Sequence, residues 1–232
     1  MIPKFPEDSI QDLASPWWVE DSDARLHRGD LVRVFVPYSG LQPHRLVAEG
    51  RSDPRVHTKA LFKMEPWSVG QRPRTPVLPV AALPEAPGEA YYVYRGKYRP
   101  GLVVSTGGVD VPRELRTGAA KWQTAPTVLV APYYGVDPDG SRGGWRPQFV
   151  ERIRNAEYPQ YVWDKLPADG PVESILRLDQ LFHTGRHHMD YEKLGYRLSD
   201  HALPVIDDWL RWLLTERLPE DSVLAIYRSA QL

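Results

Sequence analysis

The chain has 232 residues, 42% of them hydrophobic and 25% charged, with a formal net charge of −1. That is the composition of a globular chain long enough for one large domain, or for a domain with a sizeable insertion. The near-zero charge provides no chain-wide field for a polyanion, and the absence of cysteine excludes disulfides and thiolate chemistry and fits a reducing, cytoplasmic compartment. No apolar run approaches the ~20 residues of a membrane helix, so no membrane partner is expected. Met1-Ile2-Pro3-Lys4 leads into acidic and proline residues rather than the apolar segment of a signal peptide.

In chain order, residues 1–28 read as a leader, with a short amphipathic piece at Ile10-Gln11-Asp12-Leu13 and then Pro16-Trp17-Trp18. Gly29 to Val36 is rich in β-branched residues and stopped by Pro37, the pattern of a strand. Residues 39–88 carry eight prolines from Pro43 to Pro87 and break the rhythm. A structureless loop of that length is unusual, so the segment reads as an insertion with some structure of its own. Ala90 to Tyr94 predicts a strand that turns through Arg95-Gly96-Lys97 into a second one, Tyr98 to Ser105. Thr127 to Pro132 is the continuous apolar run of a central strand, and Val150 to Asp164 reads as one or two strands, Tyr161-Val162-Trp163 the clearest. The Gly-rich loop from Asp137 to Arg146 lacks the Gly-Lys-Ser/Thr ending of a phosphate-binding loop.

Ser174-Ile175-Leu176-Arg177-Leu178-Asp179-Gln180 alternates apolar with charged residues, as a half-buried strand does. Its outer face presents a guanidinium and a carboxylate roughly 6–7 Å apart along the strand. They either leave a phosphate-sized gap or lean together as an ion pair. A helix follows over 204–215, opened by Ser199 or Ala202, with a stripe of Leu203, Ile206, Leu210, Leu213 and Leu214 widened by Trp209 and Trp212. Many short strands followed by one amphipathic helix predict a mainly β (α+β) fold, a small curved barrel with a packed helix. It would span 29–218, interrupted by 39–88, with 219–232 as a tail. Trp17 and Trp18 read as a cap on the main core or a dimer contact, and Trp209 and Trp212 as core or dimer contact; counted as exposed aromatics, the four predict a homodimer.

The ordered landmarks Gly29-Asp30-Leu31-Val32, Arg99-Pro100-Gly101-Leu102-Val103-Val104-Ser105, Thr127 to Pro132, Ser174 to Gln180 and Leu198-Ser199 resemble the PemK/MazF/Kid family of toxin endoribonucleases. The resemblance implies an SH3-like barrel that dimerises, cuts single-stranded RNA without metal or cofactor, and is silenced by an antitoxin protein. It implies that Arg99 helps hold the scissile phosphate and that Arg177 and Asp179 resemble the acid and base of the cut. His44 is a candidate for the family's histidine, and Gln180 belongs to the same motif as Asp179. Two departures accompany it. Tyr134 and Gly135 stand where the family has a Thr/Ser pair on the RNA phosphate, and Phe182 and Gly185 replace an arginine and an aspartate.

Beside the resemblance, Arg95, Lys97, Arg99, Arg113, Arg116 and Lys121 are interleaved with Tyr94, Tyr98 and Trp122. Basic side chains beside stacking aromatics suit single-stranded nucleic acid, which makes Arg95, Lys97 and Tyr98 candidate RNA contacts; the resemblance implies Tyr134 and Gln180 as two more. His183, His187, His188 and Asp190 read as polar surface rather than a metal site. A second class of function fits the same residues: a barrel that has lost catalysis and binds a protein partner or nucleic acid.

Overall fold

In a computed structural model that describes residues 1–53, 55–56, 59–68, 70, 89–119, 124–138, 144–168 and 172–231, the apolar runs become strands and the amphipathic C-terminal run a helix. The elements in order are α1 (Ile10–Leu13), β1 (Trp18–Glu20), β2 (Asp30–Pro37), β3 (His44–Gly50), β4 (Leu61–Pro66), β5 (Tyr91–Val93), β6 (Gly96–Ser105), α2 (Arg113–Arg116) and β7 (Val128–Gly135). Then come α3 (Pro147–Arg154), β8 (Tyr161–Leu166), β9 (Val172–Arg177), β10 (Phe182–Thr184), β11 (Tyr191–Leu198), α4 (Ala202–Thr215) and α5 (Val223–Gln231). The chain divides into two units, Met1–Phe35 with Tyr98–Leu232, and Val36–Lys97. Positions 71–88 of the expected insertion, and Lys121 and Trp122, lie outside the described residues.

The first unit is a curled antiparallel half-barrel sheet with a C-terminal helix. Its strand order is β1-β11-β2-β6-β7-β9-β8, with β10 beside β7. Leu31, Leu102, Tyr133, Leu176 and Leu198 project from five strands into one core, closed by Ala202, Val205, Ile206 and Trp209 of α4. Ser199 opens that helix, its hydroxyl oxygen accepting from the Ala202 N–H at 3.1 Å. Ile206 and Trp209 are buried as expected and Leu203, Leu210, Trp212 and Leu213 pack against the core, but Leu214 is exposed, and Ala202 and Val205 take inner positions. Gly101 lets β6 and β7 approach closely, since a Cβ there would stand 2.6 Å from Val130 Cγ1.

Four expectations change here. The strand structure expected from Val150 onward begins only at Tyr161, because Val150 and Ile153, three apart, bury one face of α3. The hairpin expected from Ala90 to Ser105 does not form; β5 pairs with β3 in the second unit. The leader belongs to the core. Ile10, Trp17 and Trp18 are buried, β1 pairs with β11, and the Lys193 ammonium donates to the carbonyls of Asp23 and Arg25, both at 2.7 Å. The tail folds as α5, burying Leu224 and Tyr227. The aromatic argument for a homodimer fails with this, because Trp17, Trp18 and Trp209 are interior and Trp212 lies half-buried under the Arg228 guanidinium, 4.0 Å from its ring.

The tryptophans are anchored by one buried carboxylate. Trp18 Nε1 donates to Asp164 Oδ1 at 3.1 Å, while Trp17 Nε1 and the Tyr133 hydroxyl donate to Oδ2 at 3.2 and 2.8 Å. Burial pushes the Asp164 carboxyl up to about 7 against the pull of these three side-chain donors and of the Lys165 backbone N–H. A folded-state value above the unfolded one means that the folded protein keeps a proton the unfolded chain releases. Its contribution is therefore full below about pH 4 and is lost as pH rises toward 7, with a slope of no more than ~1.4 kcal/mol per pH unit. Urea unfolding of wild type and Asp164→Asn across pH 4–8 checks this. The difference between the two should narrow as pH rises, and parallel pH profiles would refute it.

Candidate functional site

Both faces of β9 are covered, not one. Leu176 packs in the main core and Ile175 in a second apolar cluster with Val136, Val150, Ile153 and Trp163. The strand expected to run through Gln180 ends at Arg177, and Leu178–Gln180 is a 3-10 turn. The turn keeps Leu178 buried, its N–H donating to the Gln160 carbonyl at 2.9 Å, and swings Asp179 back toward Arg177. Of the two arrangements open to this pair, the structure has the ion pair. Arg177 Nε donates to Asp179 Oδ1 at 2.7 Å and Nη2 to Oδ2 at 2.6 Å, the bidentate fork that arginine makes best.

Strand register gathers the other residues. Tyr161 on β8 is the direct partner of Arg177, and the guanidinium carbon lies 4.9 Å from its ring centre. Tyr134 on β7 pairs with Ile175, two residues before Arg177 and on the same face. Between β6 and β7 Gly101 pairs with Pro132; carrying that register on by two residues sets Arg99 beside Tyr134. Arg99 Cζ is 4.1 Å and Arg177 Cζ 5.8 Å from the Tyr134 ring centre, and the Tyr134 hydroxyl donates to Gln180 Oε1 at 2.5 Å. Arg99, Tyr134, Arg177, Asp179 and Gln180 thus come together from three segments of the chain. The Tyr134 ring is the one on which both arginines rest. Tyr161 was read from sequence only as a strand residue; its part depends on cross-strand pairing with Arg177.

Two guanidiniums and one carboxylate leave the cluster with a charge of +1, and the electron-rich faces of Tyr134 and Tyr161 ease the repulsion between the cations. The Arg177 and Asp179 side chains are 18% and 31% exposed, so the pair is reachable from solvent. Burial works to lower the Arg177 pKa, but the hydrogen bonds and charge of Asp179 outweigh it and raise the value above the usual one. A guanidinium held this firmly in its charged form serves as an electrostatic partner and hydrogen-bond donor, not as a proton source.

The remaining candidates fall elsewhere. Tyr98, 70% exposed, points to the opposite face of β6 from Arg99. Its ring meets Phe35 edge-on at 5.5 Å and helps line a cavity of about 480 Å³ with His188 and Asp190. Arg95, Lys97 and His44 belong to the second unit. His44 is not in a loop but on β3, paired with Pro66 and Val93. At Gly185 the Asp190 carboxylate packs where a side chain would stand, so an acid reaches that position from five residues downstream.

Among the described residues, the ligand-type side chains that meet as a group of three are Asp21, His27 and Asp30, with ligand atoms within 4.8 Å; in the His183–Asp190 group His187 and His188 meet as a pair, their rings 4.0 Å apart. Lys193 sits on this cluster, 3.0 Å from Asp21 Oδ2 and 2.9 Å from Asp30 Oδ2, as the cation the two carboxylates share. Burial raises the Asp30 pKa. At Asp21 burial acts in the same direction, but the Asp23 N–H and the lysine prevail and hold it at about 2. No protein-family model matches the chain, and no curated protein matches it either.

Proposed function

We propose that the first unit is a PemK/MazF-like endoribonuclease barrel that cuts single-stranded RNA without metal and leaves a 2′,3′-cyclic phosphate. The observation that carries this reading is the convergence of Arg99, Arg177 and Asp179 around Tyr134 in one partly buried, solvent-reachable cluster of charge +1. Asp179 takes the 2′-hydroxyl proton, and the 2′ oxygen attacks the adjacent phosphorus. The bond to the 5′ oxygen breaks, and that oxygen takes a proton from solvent. Arg99 and the free edge of Arg177 stabilise the charge that builds on the phosphoryl oxygens. By the same resemblance the protein is a cytoplasmic toxin, acts as a homodimer and is silenced by an antitoxin.

Incubation of the purified chain with a mixed single-stranded RNA in excess EDTA tests the proposal. Cleavage with 2′,3′-cyclic phosphate ends is expected, since the groups invoked are guanidiniums and a carboxylate. Cleavage only on addition of Mg²⁺ would overturn the mechanism. A second reading, a barrel that binds without cutting, is favoured by the occupation of both Asp179 oxygens by Arg177. Intact RNA in every condition would select it.

A further inference from the structure

The second unit holds a three-stranded antiparallel sheet in the order β4-β3-β5. Arg45 on β3 pairs with Tyr92 on β5 and with Glu65 on β4, which puts these three on one face. Alternation adds Val47, Lys63 and Trp67 to it and sends Leu46, Phe62, Met64, Tyr91 and Val93 to the other. The first face is therefore polar and aromatic, and its rings are stacked. Trp67 and Tyr92 lie 4.5 Å apart at 29°, and Tyr92 and Tyr94 6.3 Å apart at 27°. Trp67 is the buried foot of the stack, whereas Tyr92 and Tyr94 are 49% and 44% exposed. Aromatic faces left this open on a small sheet are costly unless something covers them.

Charge identifies the cover. Residues 36–97 carry nine lysines and arginines against five acids, a formal charge of +4 within a chain of net −1. On the stacked face the Glu65 carboxylate is shared between Arg45 at 2.8 Å and Lys63 at 3.2 Å, leaving one positive charge in excess. Arg95 and Lys97, both exposed, follow directly after Tyr94. Planar rings and an excess of cations match a ligand that is itself planar and anionic at each repeat. A duplex hides its base faces, so the strand must be single.

We propose that the β4-β3-β5 sheet with the Tyr94–Lys97 segment is a single-stranded nucleic-acid-binding module, in which bases extend the Trp67-Tyr92-Tyr94 stack and Arg95 and Lys97 hold the flanking phosphates; that the strand is RNA rests on the proposed function. The binding site is additional to the cleavage site and stands whether or not the chain cuts.

The probe that keeps the two apart is a fluorescein-labelled, 2′-O-methyl RNA of about 12 nucleotides, a length within the span such modules cover. With no free 2′-hydroxyl it can be bound but not cut. Fluorescence anisotropy with the full chain should show binding that weakens steeply with salt. Tyr92→Ala and Tyr94→Ala should each weaken it roughly ten- to a hundred-fold, the worth of one stacked base. Tyr92→Leu, which keeps apolar volume but loses the plane, should behave like Tyr92→Ala, and Tyr92→Phe like wild type. Equal binding by wild type and the Tyr92→Ala/Tyr94→Ala double variant would overturn the proposal. So would equal affinity for a duplex of the same length, or no binding by wild type, which would leave the face to a protein partner. Loss of binding in the Ala and Leu variants, with Phe unaffected, supports the module even if no RNA is ever cleaved.

Discussion

Asp179→Asn is expected to slow the cleavage of single-stranded RNA roughly 10²–10⁴-fold, the usual worth of a general base. The substitution keeps the shape of the side chain and removes the proton acceptor. Arg177→Ala should cost about 10²–10³-fold, because it takes away charge aimed at the developing phosphoryl oxyanion. Arg177→Lys should rescue only part of that loss, since an ammonium cannot reproduce the fork that engages Asp179 through Nε and Nη2. All three variants should keep the fold. The pair lies at the end of a strand with part of each side chain in water, where an ion pair contributes about 1 kcal/mol or less. Initial rates on one RNA substrate, with unfolding midpoints measured alongside, provide the check. An Asp179→Asn enzyme as fast as wild type would remove the carboxylate from the mechanism.

Removal of residues 1–20 is expected to abolish cooperative folding. The deletion takes Ile10, Trp17 and Trp18 out of the core, strips β1 from β11, and leaves Asp164 with Tyr133 as its remaining side-chain donor. Truncating a single buried tryptophan costs about 3–5 kcal/mol, and a domain has roughly 5–15 kcal/mol in all. Trp18→Ala alone should therefore lower the urea midpoint sharply, because it also withdraws the indole N–H from a carboxylate buried among apolar groups. Near-UV circular dichroism and urea titration of the two variants test this. A truncated chain with the wild-type midpoint would show that the leader is dispensable.

What could be read in the residues was local. The β-branched runs at Leu31 to Val36 and Val128 to Ala131 are strands wherever they are placed, because side-chain shape and alternation are properties of the segment itself. The helix around Trp209 is announced by its period and by Ser199 before it. Arg177 and Asp179 could be singled out as a pair from their spacing, but not the form of the pair. Whether they part or close depends on Leu178, which the core draws into a 3-10 turn.

The rest depended on residues far apart in the chain. Tyr161 and Tyr134 face Arg177 because β8 and β7 flank β9 in one register, and register is decided by which faces are buried, not by either strand alone. Trp17 and Trp18 look like exposed aromatics in a polar leader. They are interior because Asp164, some 146 residues away, offers their indole N–H groups an acceptor that makes burial affordable. Likewise β5 pairs with β3 rather than folding back on β6, which sets Tyr92 and Tyr94 on an open face beside Trp67. Composition and periodicity thus determined which segments are strands and helix and which side chains carry charge and rings. Only the packed sheets decided which of those side chains meet, since contact between distant segments follows from shared burial and pairing that no local pattern contains.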